Sequence, residues 1–427
     1  MNTIGDNGFA IAAAVLREAE ALTRTDAGIL RPSYGAGETS TLELIRDKAH
    51  GVGLESECDF AGNLYINLPG SDPTLPRLIL GSHVDAVPNG GNFDGLAGVA
   101  AALGVLAELQ QQNIQLTHTI SAMAIRAEEN AWFGAQHIGS RAALGLLSPS
   151  ILDQCHRVDT GRTLASHMQE AGADIKPIRE RQRYLSAHNV RGFIELHIEQ
   201  GPVLTSVNKA VGVVSAIRGS ARCMEIKCQG SYGHSGAVPM SLRSDAVAAS
   251  AALVCGMLQL AERINDIGGD LCVTFGRFFT DARAHGLTTI PGDVTLSIDC
   301  RSHDSATLVL ARQHLETLMK DIGSRHHVRW QSTAIQLSQP ASMDAQLREV
   351  LANACRGLEV EAYPIASGAG HDAQDFAQAG IPAAMLFVRN ANGSHNPDEA
   401  MSLDDFRLAV AVLLNACRRL CQPGAVE

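Results

Sequence analysis

The stretch "LILGSHVDAVPNGGNFDGLAG", residues 78–98, runs an apolar strand into a Gly/Asn loop and then into an Ala-rich helix at about 95–112. A second apolar strand follows at about 117–126. Strand, helix and strand at this spacing demand a right-handed crossover and a parallel sheet. "GFIELHI" at 192–198 and "AAMLFV" at 383–388 read as further buried strands, and "AGNLYINLPG" as a strand ending in a Pro-Gly turn. Helices are expected at 8–23 and 40–52. The fold class is therefore α/β, with a mixed, largely parallel sheet flanked by helices.

Between these segments the rhythm changes. Residues 221–229, 271–280, 293–301 and 327–335 read as strands, with helices at about 241–263 and 304–323. The order β-α-β-β-α-β is that of a ferredoxin-like α+β unit. A chain of 427 residues is long for one hydrophobic core. Two domains are expected: residues 1–211 and 337–427 as a discontinuous α/β domain, and 212–336 inserted within it.

Composition excludes several classes. A net charge of −11 offers no basic face for nucleic acid. The N-terminal "MNTIGDNGFAIAAAVLREAEAL" lacks the basic and apolar regions of a signal peptide and reads as an amphipathic helix. No apolar run is expected to reach the roughly 20 residues that span a bilayer. The ten cysteines (58, 155, 223, 228, 255, 272, 300, 355, 417 and 421) form no CxxC pair. They fit a reducing cytoplasm, as small, mostly buried hydrophobes.

Ligands of a parallel sheet bind beyond the carboxyl ends of its strands. His83 and Asp85 follow one strand, Glu128 and Glu129 the next, His197 closes "FIELHIEQG", and His395 follows "AAMLFVRNANGSH". Asp94 opens the helix, where the helix dipole favours a negative charge. Taken singly, each has an ordinary explanation: a satisfied histidine, a solvated helix start, an N-cap. Their convergence on one sheet edge reverses that reading. Imidazoles with carboxylates suit zinc, manganese, cobalt or nickel better than calcium. Such a set is large enough for two divalent metal ions if one carboxylate bridges, and Asp94 is the natural bridge. Asp85, two residues from His83, is placed to orient that imidazole. One glutamate of the pair can bind metal while the other takes a proton from metal-bound water.

The blocks "GSHVDAVPNGGNFDGLAG", "AEENAWFGAQHIGSRA", "ELHIEQGPVL", "GHSGAVPMSLRSDA", "SGAGHDA" and "GSHNPDE" resemble, in order, those of one amidohydrolase group. This is the N-carbamoyl-L-amino-acid hydrolase, allantoate amidohydrolase and β-ureidopropionase group of the M20 metallopeptidase superfamily. The resemblance runs from about residue 30 to 400. It implies a dinuclear metallopeptidase-like catalytic domain, with His83, Asp94, Glu129, His197 and His395 as ligands and Asp94 bridging. It implies Glu128 as base and Asp85 as the partner of His83. A histidine at 197, where peptidase relatives carry a carboxylate, favours an amidase.

The inserted segment resembles the family's lid and dimerisation domain, which implies a homodimer. There His234 matches a histidine that reaches the neighbouring subunit's site and stabilises the developing oxyanion. As a residue alone it is equally a turn histidine between glycines. Gln200 and Arg301 match positions that bind the substrate's polar end, and a guanidinium suits a carboxylate. The chain departs from the family at Thr288, where a substrate-binding Asn is expected, and at Ala127, Asn130 and Ala131. His371 and Asp372 are expected to line the pocket, without an assignable role.

The implied reaction is hydrolysis of a carbamoyl or ureido C–N bond by metal-bound hydroxide. Its foremost form converts an N-carbamoyl-L-amino acid and water to the L-amino acid, ammonia and carbon dioxide. Allantoate, ureidoglycolate or β-ureidopropionate chemistry comes second, then an M20-type peptidase. A non-catalytic metal-binding protein is the alternative from another class, and the retained ligands with Glu128 argue against it.

Overall fold

A computed structural model describes residues 5–422, and it divides into two compact units. Residues 1–4 of the expected N-terminal helix lie outside the described residues; the helix itself runs Asp6–Thr23. The first unit joins the residues up to Ser215 to those from Ser342 onward, and the second spans Ala216–Ala341. These limits differ by a few residues from 212 and 336. Val211–Ile217 pairs antiparallel with Ala383–Val388 in the first unit's sheet, whereas Gln336–Ser338 pairs with Gly219–Gln229 in the second.

The centre of the first unit is four parallel strands in the order Ile120–Ile125, Arg77–His83, Val190–Ile198, Ala383–Val388. Antiparallel strands extend both sides of this core, with Leu64–Leu68 next to Ile120–Ile125. Ile120–Ile125 and Ala383–Val388 are buried at every position. That is why their sequences are continuous apolar runs without alternation: both faces of a parallel sheet are covered. Register fixes the edge that matters. His83 pairs with Ile125, Gly81 with Glu195, and Phe387 with His197. The helix Leu96–Gln111 is buried from Leu96 to Leu109, apolar on every side as a helix enclosed in a core must be.

In the second unit the chain order is Gly219–Gln229, Ala246–Asp266, Cys272–Thr280, Asp293–Ser302, Ser305–His326, Arg329–Ser332. Its strands form an antiparallel sheet with Asp293–Ser302 and Gly219–Gln229 in the middle. The long helix starts at Ala246, five residues later than expected, because Asp245 caps it through Val247 N and Ala248 N at 2.9 and 3.0 Å. This 21-residue helix is long and apolar enough to cross a membrane by length and composition, which corrects the expectation that no such run exists. Its buried residues Ala246, Ala249, Ser250, Leu253, Met257, Leu260, Ala261 and Ile264 form a single stripe. One covered face at helical spacing is the pattern of a domain-core helix.

Candidate metal centre and active site

The groups at the sheet edge are held by backbone geometry as much as by their own side chains. His83 is the last residue of its strand. Twelve residues on, Gly95 adopts φ +68°, and a Cβ there would lie 2.4 Å from the His83 ring. Only glycine lets the helix start this close to the imidazole. The amides of Phe93 and Asp94 donate to Glu399 Oε1 at 2.7 and 3.1 Å, fixing the turn that presents the Asp94 carboxylate. Before the glutamate pair, the chain turns left-handed at Ala127 (φ 54°). Glu38 braces that turn: it accepts the Ala127 amide at 2.9 Å and pairs with Arg126 at 2.6 Å.

Asp94 lies between two sets of donors. His197 Nε2 and His83 Nε2 are 3.0 and 3.4 Å from Asp94 Oδ1. On the other side, His395 Nε2 is 3.5 Å from Asp94 Oδ2 and 3.3 Å from Glu129 Oε1. Each triad, His83–Asp94–His197 and Asp94–Glu129–His395, gathers its ligand atoms within 4.8 Å, and Asp94 is common to both. The chemistry fits a divalent cation. His83 Nδ1 faces Asp85 O at 3.0 Å and His197 Nδ1 faces Ile198 O at 2.9 Å. These carbonyls place the ring hydrogens on Nδ1 and leave Nε2 lone pairs pointing at each other 3.4 Å apart. Asp94 Oδ1 is buried without a hydrogen-bond partner despite its short distance to His197, because an Nε2 that carries a lone pair has no hydrogen to donate. Three lone pairs converging on one another are repulsive unless a cation lies between them.

The local electrostatics carry the same message. At His83 burial opposes a charge, but Glu128, Asp85 and Asp94 outweigh it and raise the imidazole well above its ordinary value. His197 rises to about 9 against burial, chiefly through Asp94. Burial, Glu128 and Asp94 push Glu129 up to about 7. Glu128 is drawn down to about 2, burial being outweighed by His83 and His137. A potential that recruits protons to these nitrogens recruits a cation to the same lone pairs.

Asp85 does more than face His83, whose Nδ1 is 3.4 Å from its Oδ1. Its carboxylate accepts the amides of Glu128 and Glu129 at 3.0 and 3.2 Å and the Ser33 hydroxyl at 2.6 Å. It therefore sets the pose of both glutamates. Gln200 donates to Asp94 Oδ2 at 2.9 Å. His371 is buried, its ring 4.5 Å from that of His197 and its Nε2 2.8 Å from Ser367 Oγ. Burial and Glu195 push Asp372 well above the carboxylate range, and one of its oxygens takes the Ser140 hydroxyl.

Sequence reasoning passed over His137, Asp375, Ser394 and Glu399. Ser394 donates to both Asp94 and Glu399. His137 is buried between Glu128, 3.1 Å from its Nε2, and Asp375, which meets its Nδ1. The only available signal was a histidine in the "AQHIGS" segment, with nothing local to distinguish it from a loop residue.

Three expected site residues belong to the second unit. His234 is exposed on the two-residue strand Gly233–His234, and its Nδ1 accepts the Gly236 amide at 3.2 Å. Thr288 is exposed and its carbonyl accepts the Ser235 amide at 2.9 Å. Arg301 is half-buried and pairs with Asp299 at 3.0 Å, which also meets Arg222 at 3.3 Å.

A parallel α/β sheet whose carboxyl edge gathers imidazoles and carboxylates around one shared aspartate has the architecture of a metal-dependent hydrolase. The model of peptidase family M20/M25/M40 matches residues 79–419, and the chain belongs to that family. It is 31% identical over 389 residues to an N-carbamoyl-L-amino-acid amidohydrolase of Pseudomonas sp. (strain NS671), covering 91% of this chain and 92% of that one. It is 32% identical over 390 residues to the allantoate amidohydrolase of Escherichia coli (strain K12), covering 90% and 91%. Among solved structures, an amidase of the hydantoinase/carbamoylase family from Burkholderia multivorans superposes with a TM-score of 0.86 at 26% identity, covering 97% of each chain.

Proposed function

We propose that the protein is a dinuclear metal-dependent amidohydrolase that converts an N-carbamoyl-L-amino acid and water to the L-amino acid, ammonia and carbon dioxide. The observation that carries this reading is the pair of ligand triads sharing Asp94, with Glu128 beside them. One cation would be held by His83, Asp94 and His197, and the other by Asp94, Glu129 and His395. Bound divalent cations polarise a carbonyl oxygen and acidify water.

The chain's own groups supply the rest. Glu128 takes the proton of the attacking water and returns it to the departing nitrogen. Asp85 holds the Glu128 and Glu129 amides, so the base and the ligand keep a fixed spacing. His234 of the partner subunit stabilises the developing oxyanion across a homodimer. Its hydrogen bond from the Gly236 amide supports this, since an accepting Nδ1 leaves Nε2–H as the donor. Arg301 and Gln200 hold the substrate's polar end, with Arg301 offering the carboxylate clamp. Ten unpaired cysteines support a reducing, cytoplasmic setting.

A second reading, allantoate hydrolysis, is favoured by the identity to the Escherichia coli enzyme, which equals that to the carbamoylase within one per cent. Thr288 argues for the smaller substrate, because a hydroxyl cannot reproduce both hydrogen bonds of an amide. The deciding experiment measures metal content, then kcat/KM by ammonia release for N-carbamoyl-L-methionine, N-carbamoyl-β-alanine and allantoate, and by release of the free amino acids for a dipeptide. N-carbamoyl-L-methionine is expected to lead. A tenfold advantage for allantoate, or a dipeptide that outruns all others, overturns the assignment.

A further inference from the structure

The segment between Glu128 and His137 closes on itself. The His137 amide donates to Glu128 O at 2.7 Å, Ile138 N to Ala127 O at 2.8 Å, and Gly139 N to Arg126 O at 3.1 Å. Both ends of the loop, Ala127 and His137, are left-handed, with φ 54° and 56°. A non-glycine residue in this region costs about 1 kcal/mol, and two such residues close together need a reason. What the second turn achieves is visible: it swings the His137 ring back onto the Glu128 carboxylate, 3.1 Å from Oε1.

The other ring nitrogen is held from a distant part of the chain. Asp375 lies on the short helix Asp372–Gln378, and its Oδ2 meets His137 Nδ1. Asp375 is in turn 3.7 Å from Arg141, one helical turn beyond His137. His137 and Asp375 are 3% and 5% exposed, so water cannot substitute for either contact. The result is a line of three buried side chains, Asp375–His137–Glu128, ending on the carboxylate proposed as the base. None of the metal-ligand positions takes part in it.

We infer that His137, anchored by Asp375, is the positioning residue for Glu128. Facing a carboxylate on each side, the ring is an imidazolium: Nδ1–H donates to Asp375 and Nε2–H to Glu128 Oε1, which fixes the Glu128 carboxylate's rotation and leaves Oε2 as the oxygen that accepts the proton. Asp375 prevents the ring from turning. This inference rests on Glu128 being the base, so the test separates the two claims.

His137→Asn keeps a residue that tolerates the left-handed backbone. Its shorter amide retains a donor near Asp375 and cannot reach Glu128. In the metal-loaded enzyme it should lower kcat about 10- to 100-fold with KM within twofold, the loss typical of a misplaced catalytic group. Metal content per subunit should stay at the wild-type value, while Tm should fall because the buried Glu128 carboxylate loses a partner. Asp375→Ala should lower kcat in the same direction by a smaller factor, and Asp375→Asn, which keeps an acceptor, should restore most of it. In a Glu128→Gln background, His137→Asn should cost nothing further. Wild-type kcat in His137→Asn, or an equal further loss in the Glu128→Gln background, overturns the inference while leaving the base assignment standing. If His137→Asn does not fold, unchanged kcat in Asp375→Ala overturns it. Active, metal-loaded Glu128→Gln enzyme overturns both claims.

Discussion

The metal-centre residues and the expected substrate-binding residues occupy opposite chemical situations. His83, His197 and Asp94 are 2%, 0% and 3% exposed, and their ligand atoms face one another. His234 and Thr288, in the second unit, are exposed, and Arg301 is engaged with Asp299. In the first set His83 and His197 are oriented by the carbonyls of Asp85 and Ile198, and Asp94 accepts from Gln200 and Ser394, so the geometry leaves little choice of chemistry. In the second set the side chains are satisfied locally and acquire meaning only through what docks against them. On the proposed assignment, reaction class rests on the cluster around Asp94, and specificity on surfaces that the cluster does not constrain.

The strongest way to break this contrast is to remove the shared carboxylate. Asp94→Ala takes one ligand from both triads and leaves His83 and His197 facing each other unshielded. We expect loss of essentially all bound metal and no detectable ammonia release, as judged by elemental analysis and turnover on the same sample. Retention of a full complement of metal would show that the two triads do not share Asp94.

The glutamate pair sharpens the comparison within the cluster itself. Glu128→Gln should keep its metal and lose about 10²–10⁴-fold in kcat, the usual contribution of a general base. Glu129→Gln replaces an anionic ligand by a neutral one, so metal affinity should fall first, and excess metal should restore part of the activity. Metal titration of the two purified variants checks this. Equal metal loss in both would mean that the roles are not divided as assigned.

How much of this was legible depends on whether a residue's role is local. His83, His197 and His395 could be read because each lies at or beyond the end of a buried strand, and parallel strands deliver their ends to one edge. Asp94 could be read because a helix starts beside it. His137 could not, because its role depends on two left-handed residues closing a loop and on Asp375, 238 positions away. Glu399, 305 positions from Asp94, was hidden for the same reason. Neither a hydrophobic period nor a motif spacing records a contact of that range. The start of the helix at Ala246 was misplaced because the apolar pattern extends upstream through Met240–Leu242, a 3-10 turn, before Asp245 sets the true cap.

A third prediction crosses the boundary between the two sets. If His234 acts on the partner's site, His234→Ala homodimers should lose about 10²–10³-fold in kcat, as on removal of an oxyanion donor. Mixing them with inactive Glu128→Gln subunits should then rescue activity. Random exchange makes half the dimers mixed, and one of the two sites in each is intact, so about a quarter of wild-type activity should return in a two-fold symmetric dimer. No rescue despite confirmed exchange, or a fully active monomer, would confine catalysis to single chains.

The smallest expected effect falls on the residue least constrained by its surroundings. Thr288 is exposed, and its carbonyl accepts the Ser235 amide. Thr288→Asn leaves that backbone contact in place and adds an amide able both to donate and to accept. It should therefore change neither metal content nor Tm. One additional neutral hydrogen bond contributes about 1 kcal/mol, so the ratio of kcat/KM for allantoate to that for N-carbamoyl-L-methionine should rise about fivefold. The shift should appear in KM more than in kcat, because position 288 would hold the polar end of the substrate and not the reacting carbon. A ratio unchanged by Thr288→Asn would remove this residue from the specificity surface and shift attention to Gln200 and Arg301. A change in kcat with equal KM would place it instead among the groups that stabilise the transition state, and the contrast between a self-determined cluster and an externally determined surface would then have to be redrawn.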